Sequence, residues 1–540
     1  MRIRRRFFSL IRIGWVVFSL FSLSACLPKN PVSQVEPLNL AAPIASLTAE
    51  KVERLQSTAE PTLIPTSTPK LVIEPIDQAI THPVFKLDEI PTLRPEMLEY
   101  EIKEGDTISK IAGYYQISKR ALIEANDLIN PDIISIGQKL NIPPQTSDLR
   151  DKGFLILPDG EVVNGPNSVG FHLEEFLLSY PNNYISGYLE PTPTPLPPKD
   201  NEKSASAGQP DFIPRSGVQI VNQIALQNSI SPKILLALME FQTKTLSNSR
   251  PNGNQKNSVI VHLGKSYESL ARQLNWAADT LNYGYYQWKN HRINQWILDD
   301  DTVVAVDPGI NAGTAALQYL FSQIYGKDDW MYAVSEFGFT AAYRSLFEIA
   351  PQNYNWDNTP DSFPDLQLPF PAGEVWNLTS GPHYGWSSGS PWSALDFVPP
   401  DAIGCSQSEH WVTASAPGEI LYSENGLVLQ DLDDDGDLRT GWTLVYLHLE
   451  TRDRVEAGAI LETGGKIGHP SCEGGVSNGS HIHIARRYNG EWIPIDRNYP
   501  LFMSGWEAIS AGTIYDGYLV KDDRIVEAWY YKTEESEISY

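Results

Sequence analysis

The residues of this 540-residue chain that could do chemistry gather in its last third. In "HIHI" the side chains of His481 and His483 are two residues apart. On an extended strand both project from one face, with Ile482 on the other. Two imidazoles on one face are costly in a core and useful at a metal. Zinc favours imidazole nitrogen and carboxylate oxygen in a four-ligand shell, and a catalytic zinc site keeps one position open for water. Upstream, "GPHYGWSSGSPWSALDF" offers His383 and Asp396. With one histidine of the pair they would make such a set. Taken singly, each reads as an ordinary turn, loop or sheet residue; only the combination points to a metal.

Three other groups carry chemistry. In "DLDDDGDL", Asp431, Asp433, Asp435 and Gly436 stand at the offsets of a calcium loop. The twelfth position is Trp442, where an EF-hand needs Glu. A solvated hairpin turn is therefore the expectation, with Ca2+ at 431–437 as the alternative. Cys405 and Cys472 flank the histidine-rich region, and outside the cytoplasm such a pair reads most simply as a disulfide. His469, in "GHPSCEGG", is expected to be structural or to line the groove.

The elements that must position these groups change character along the chain. From about residue 370 short β-type runs such as "GWTLVYLHLE" and "SHIHIARRYNGEWIPI" are broken by Gly, Asp and Asn at turn spacing. That pattern predicts an antiparallel all-β domain over 365–540, with its motifs within 370–500. Residues 211–355 read as mostly α-helical, with a helix start at "SP" and apolar positions at helical period. A mixed segment covers 145–189, and a Pro-rich linker covers 190–210. Residues 98–144 read as a small βααβ domain, with a cap at Asp106-Thr107 opening the first helix. Residues 26–97, rich in Pro, Thr and Ala, read as a tether.

The β region resembles the lysostaphin-type zinc endopeptidases, in particular their β-lytic branch. "GPH", "LDF", "YLHL" and "GSHIHI" occur in that family's order, and His383 lies thirteen residues before Asp396. The commoner pattern of the family has its first His four residues before the Asp, where this chain has Trp392. The resemblance implies one Zn2+ per chain held by His383, Asp396 and His483, with His448 and His481 as catalytic histidines. Zinc lowers the pKa of water towards ~7 and polarises a carbonyl. One flanking imidazole would accept the proton, and either could bond the developing oxyanion. A non-catalytic wall-binding adaptor, or an activator of a separate hydrolase, is the rival reading.

Residues 98–144 resemble the LysM domain in "EGDT", "L…AN" and "IGQKLNIP". The resemblance implies binding of peptidoglycan glycan strands by Gly105, Asp106, Thr107 and Ile108 of one loop and Pro131 and Ile133 of another. The helical region resembles the lysozyme-like transglycosylases, in which a Glu at a helix end protonates the glycosidic oxygen. Glu240 takes that place, but Phe241 replaces the usual Ser and "YGYYQ" replaces "GLMQ". A glycan-binding or spacer role is the expectation for this region, with Glu240 as a second catalytic acid the alternative.

The amino terminus reads as an export signal over 1–25, with Arg2, Arg4, Arg5 and Arg6 before an apolar run. "LSAC" resembles the bacterial lipobox, which implies lipidation of Cys26. The expected address is the outer side of the cytoplasmic membrane, at the cell envelope, on a lipid anchor. A formal charge of −25 argues against nucleic acid as a partner, because phosphates would repel it. Together these readings describe a wall-held endopeptidase that cuts stem peptides or cross-links of peptidoglycan.

Overall fold

The computed structural model describes residues 93–190, 215–250, 258–260, 263, 267, 269–349 and 356–540. Cys26, the signal, nearly all of the tether and nearly all of the Pro-rich linker lie outside the described residues.

The first described element pair is strand β1 (Leu98–Glu101) with β2 (Lys139–Ile142), antiparallel. Between them come helices α1 (Ile108–Tyr114) and α2 (Lys119–Glu124). Thr107 caps α1 by accepting from the Lys110 amide at 3.2 Å, and Ser118 caps α2 by accepting from Ala121. Ile102, Ile108, Ile111, Leu122, Leu140 and Ile142 form its small core.

The helical region is built on α3 (Gly217–Asn228), α4 (Pro232–Thr243), α5 (Leu270–Lys289) and α6 (Ala312–Ser322). Ser216 and Gln219 close a capping box on α3, Pro232 opens α4, and Ser269 caps α5. Residues 149–185 are not a separate layer. Ile156, Leu157, Leu173 and Ile185 join the same core as these helices, and Leu149–Arg150 pairs in parallel with Val304–Ala305.

The β region is an antiparallel sheet. Its main strands are β3 (Trp376–Tyr384), β4 (Trp392–Val398), β5 (Gly418–Glu424), β6 (Leu427–Asp431), β7 (Trp442–Leu447) and β8 (Ile482–Tyr488). Their order in space is β5-β6-β7-β8-β4-β3, with Ile460–Leu461 beyond β5 and Glu537–Ile538 beyond β3. A four-stranded meander over 502–527 packs beside β3.

Both faces of this sheet are covered. Val428, Leu444, Tyr446, Ile482, Ile484, Leu395 and Phe397 point into the β region's own core. Leu427, Leu429, Val445, Leu447, Ala485 and Ala394 point the other way, into the core that the helices fill. Strand alternation thus feeds two cores, which is why β8 is buried along nearly its whole length.

Candidate metal centre

Four neighbouring strands bring the histidines together. His483 of β8 lies directly opposite Asp396 of β4, and Leu447 of β7 lies opposite His483 on the other side. His448 follows β7 at once. His383 of β3 is opposite Ala394, two residues from Asp396 and therefore on the same face. Register irregularities in β3 between Leu378 and His383 set that alignment.

Three ligand atoms converge. His383 Nε2 lies 3.0 Å from His483 Nδ1 and 3.2 Å from Asp396 Oδ1, and His483 Nδ1 lies 3.1 Å from Asp396 Oδ1. A tetrahedral zinc with bonds of about 2.0–2.1 Å places its ligand atoms ~3.3 Å apart, so the donor set fits in both type and spacing. The remaining ring nitrogens are tied down. His383 Nδ1 meets the Gly381 carbonyl at 2.9 Å, and His483 Nε2 meets the Gly385 carbonyl at 3.1 Å. Carbonyls in those places make the outer nitrogens donors and leave the inner lone pairs for a metal.

The two remaining histidines stand beside this cluster. Their rings are 4.4 Å apart, and His448 is 6.3 Å from the His483 ring. His448 Nδ1 donates to the Glu473 carbonyl at 2.8 Å, and His481 Nδ1 donates to Gly479 at 2.8 Å. Both therefore present Nε2 inward, with His481 Nε2 3.7 Å from Asp396 Oδ2. His448 sits at φ +70, in the left-handed region, as the chain turns out of β7.

Burial and charge sort these groups. Burial resists a charge on His383, yet the adjacent Asp396 carboxylate outweighs it and raises the ring above its ordinary value. Burial likewise opposes ionisation of Asp396, but His383 and His481 hold it well below the usual carboxylate range. His483 is lowered chiefly by burial. His448 is lowered to about 3, by burial first and then by His481 and His483. A neutral imidazole is the form that ligates or accepts a proton.

The other expected residues fall as follows. Cys405 and Cys472 are bonded, with Cα atoms 5.6 Å apart. His469 is buried against Trp411 and bonds the His410 carbonyl at 2.8 Å. The Glu240 carboxylate caps the turn after α4, taking the amides of Leu246 and Ser247 at 2.8 and 3.2 Å and the Ser247 hydroxyl at 2.5 Å. In the small N-terminal domain, Asp106 accepts from the Lys103 amide and the Tyr100 hydroxyl, Ile108 is buried, and Ile133 is exposed. The carboxylates of Asp431, Asp433 and Asp435 cluster in the β6–β7 hairpin. Partial desolvation and then the Asp431 and Asp435 carboxylates push the Asp433 carboxyl up to about 7.

Two neighbours of the centre escaped sequence reasoning. Tyr515, from the meander, lies on His383 with ring centroids 5.0 Å apart. Asp279, on α5, takes the Ser388 hydroxyl at 2.9 Å, the Gly389 amide at 2.6 Å and the Ser387 hydroxyl, and so pins the loop after His383. Neither carries a local motif, and both reach the site only through the tertiary fold.

Residues 155–360 match the family described as LasA, N-terminal domain, and residues 100–143 match the LysM domain. The beta-lytic metalloendopeptidase of Lysobacter enzymogenes is 30% identical over 153 residues, covering 28% of this chain and 83% of that protein. The chain belongs to the beta-lytic metalloendopeptidase family. The beta-lytic metalloendopeptidase of Achromobacter lyticus is also 30% identical over 159 residues, covering 28% of this chain and 40% of that protein. Protease LasA of Pseudomonas aeruginosa is 23% identical over 288 residues, covering 49% of this chain and 65% of that one. The chain thus spans under half the length of the Achromobacter relative. A solved structure, the M23 metalloprotease pseudoalterin from the deep sea, is 25% identical, with 31% of this chain and 97% of that one covered at a TM-score of 0.26.

Proposed function

We propose that this chain is a zinc-dependent endopeptidase that cleaves stem peptides or peptide cross-links of peptidoglycan. The observation that carries the reading is the convergence of His383 Nε2, His483 Nδ1 and Asp396 Oδ1 to within 3.0–3.2 Å. Their outer ring nitrogens rest on backbone carbonyls. These three residues would hold one zinc ion. Bound there, zinc supplies Lewis acidity, polarising a peptide carbonyl and acidifying water.

The chain's own groups do the rest. His448 and His481 turn Nε2 towards the cluster, so one takes the proton of the attacking water. A ring so protonated then donates to the developing oxyanion or to the departing amine. Burial of His383, Asp396, His448 and His483 excludes bulk water and strengthens each of these interactions. The LysM residues Gly105, Asp106, Thr107, Pro131 and Ile133 are the proposed glycan contacts, with exposed Ile133 as an apolar platform and Ile108 holding the first loop from the core beneath. Export and lipidation at Cys26 would keep the enzyme at the envelope, on the outer side of the cytoplasmic membrane.

The test is metal content of the purified chain, with peptidoglycan turbidity followed in the same sample. About one zinc per chain is expected. His383→Ala combined with His483→Ala should abolish both zinc and clearance. Wild-type protein that binds wall without zinc and without clearing it would make this chain an adaptor instead.

A further inference from the structure

The hairpin joining β6 to β7 has a feature the zinc centre does not use. Asp431, the last residue of β6, is fully buried. Its Oδ2 accepts from the Gly436 amide at 3.1 Å. Among the described residues no donor reaches its Oδ1, which is likewise buried. Asp433 and Asp435 turn towards it, and one oxygen from each of the three carboxylates lies within 4.8 Å of the others. When all three are ionised none can donate to another, and Oδ1 of Asp431 is left without a donor.

No lysine or arginine among the described residues forms an ion pair with these three groups. Arg439, the nearest cation in the loop, spends its guanidinium elsewhere. It bonds both oxygens of Asp437, at 2.7 and 2.6 Å, and the Ser168 carbonyl of the helical region at 2.6 Å. Like charges converging on a buried oxygen are relieved either by a proton on one carboxyl, as the raised Asp433 reflects, or by a cation bound among them. Oxygen ligands without imidazole or thiolate select a hard cation rather than zinc. Three carboxylates at alternate positions, followed by Gly436 at φ +76, form a flexible loop suited to calcium; magnesium demands a stricter octahedron.

We propose that Asp431, Asp433 and Asp435 form a calcium site in the β6–β7 hairpin, separate from the zinc centre and independent of it. Trp442 at the twelfth position rules out an EF-hand, so backbone carbonyls and water complete the shell. The site lies at the opposite end of β7 from His448. The loop it would order also ties the β and helical regions together, through Arg439 to Ser168. Within the β region, the Gly441 amide bonds the Asn489 side chain and the Asn489 amide bonds the Gly441 carbonyl, at 2.8 Å each.

The experiment uses the full chain, stripped of metal, reloaded with zinc and then titrated with calcium chloride by calorimetry. Terbium luminescence sensitised by tryptophan and hydrogen exchange over 432–441 are read in parallel. Saturable binding of about one calcium per chain is expected, with magnesium weaker by about tenfold or more. Exchange in the loop should slow on binding. Asp433→Asn combined with Asp435→Asn should remove binding while zinc content and circular dichroism are kept. Asp434→Asn, an exposed neighbour outside the three, should bind as wild type does. Absence of saturable binding overturns the proposal. So does an equal loss in the Asp434 variant, which would mean diffuse attraction to an acidic loop.

Discussion

Asp396 decides the electrostatics of the centre, because it is the one anion among four histidines. It raises His383 while burial lowers His483, so in the metal-free protein the added proton resides on His383. Zinc must displace that proton. Affinity should therefore climb about tenfold per pH unit until His383 is neutral, and level off above that point. Competition titrations against a chelator at several pH values would show this; a flat profile would count against it. The metal-free fold has a matching dependence. The raised His383 contributes stability fully below its ordinary pKa and loses it as pH rises through the raised value. The depressed Asp396 contributes above the ordinary carboxylate pKa and loses that only as pH falls through its lowered one. His448 and His481 should separate from the ligands by a different readout. Alanine at either should keep zinc and lower kcat by about 10²–10⁴; loss of zinc would instead make that residue a ligand. The histidine pair was legible because a strand has period two. The carbonyls of Gly381, Gly385 and Glu473 were not, since any residue's backbone can serve and no side chain marks the place.

At the level of elements, the loop after β3 is shaped from outside. Gly389 lies so close to α5 that an added Cβ would meet the Asp279 carbonyl oxygen at 2.0 Å. Asp279 accepts three bonds from residues 387–389. Asp279→Ala should cost about 1–3 kcal/mol of local stability. Amide exchange should quicken in 386–390 while the zinc content is unchanged. Protection equal to wild type would show that the loop holds itself. Sequence period made helices such as 217–228 and 232–243 legible, since apolar residues recur with helical spacing and Ser or Pro opens each. It did not reveal that Arg487 is buried. In β8 that side chain sits where alternation alone suggests solvent, yet it bonds the Leu226 and Gln227 carbonyls at the end of α3, at 2.9 and 2.7 Å. The covering of the second sheet face by helices comes from residues some 260 positions away, which no local pattern encodes.

Across the whole molecule, the helical and β regions share one core. Ala394, Leu427, Leu429, Val445, Ala485 and Trp492 pack into the helices. Glu491 is buried with Lys289 of α5 at 2.8 Å and Asn358 at 2.8 Å. Cutting the chain to 356–540 would expose that apolar face, take Lys289 and Tyr285 from Glu491 and take the Leu226 and Gln227 carbonyls from Arg487. Each large apolar side chain re-exposed forfeits about 1.5–3 kcal/mol. The fragment should therefore be poorly soluble, with strong dye binding and a depressed Tm. A monodisperse fragment as stable as the full chain would contradict this. At the other end, Gln116 of the LysM domain is seated on the helical region, meeting the Asn294 amide at 3.2 Å and the backbone of Arg292. Gln145 meets the Asn294 side-chain amide at 3.4 Å. If the proposed roles hold, the part that grips a sugar strand and the part that cuts a peptide are not joined by a leash. They act as the two jaws of a caliper, and cuts would fall at a constant spacing from the gripped sugar, leaving fragments of regular rather than random size.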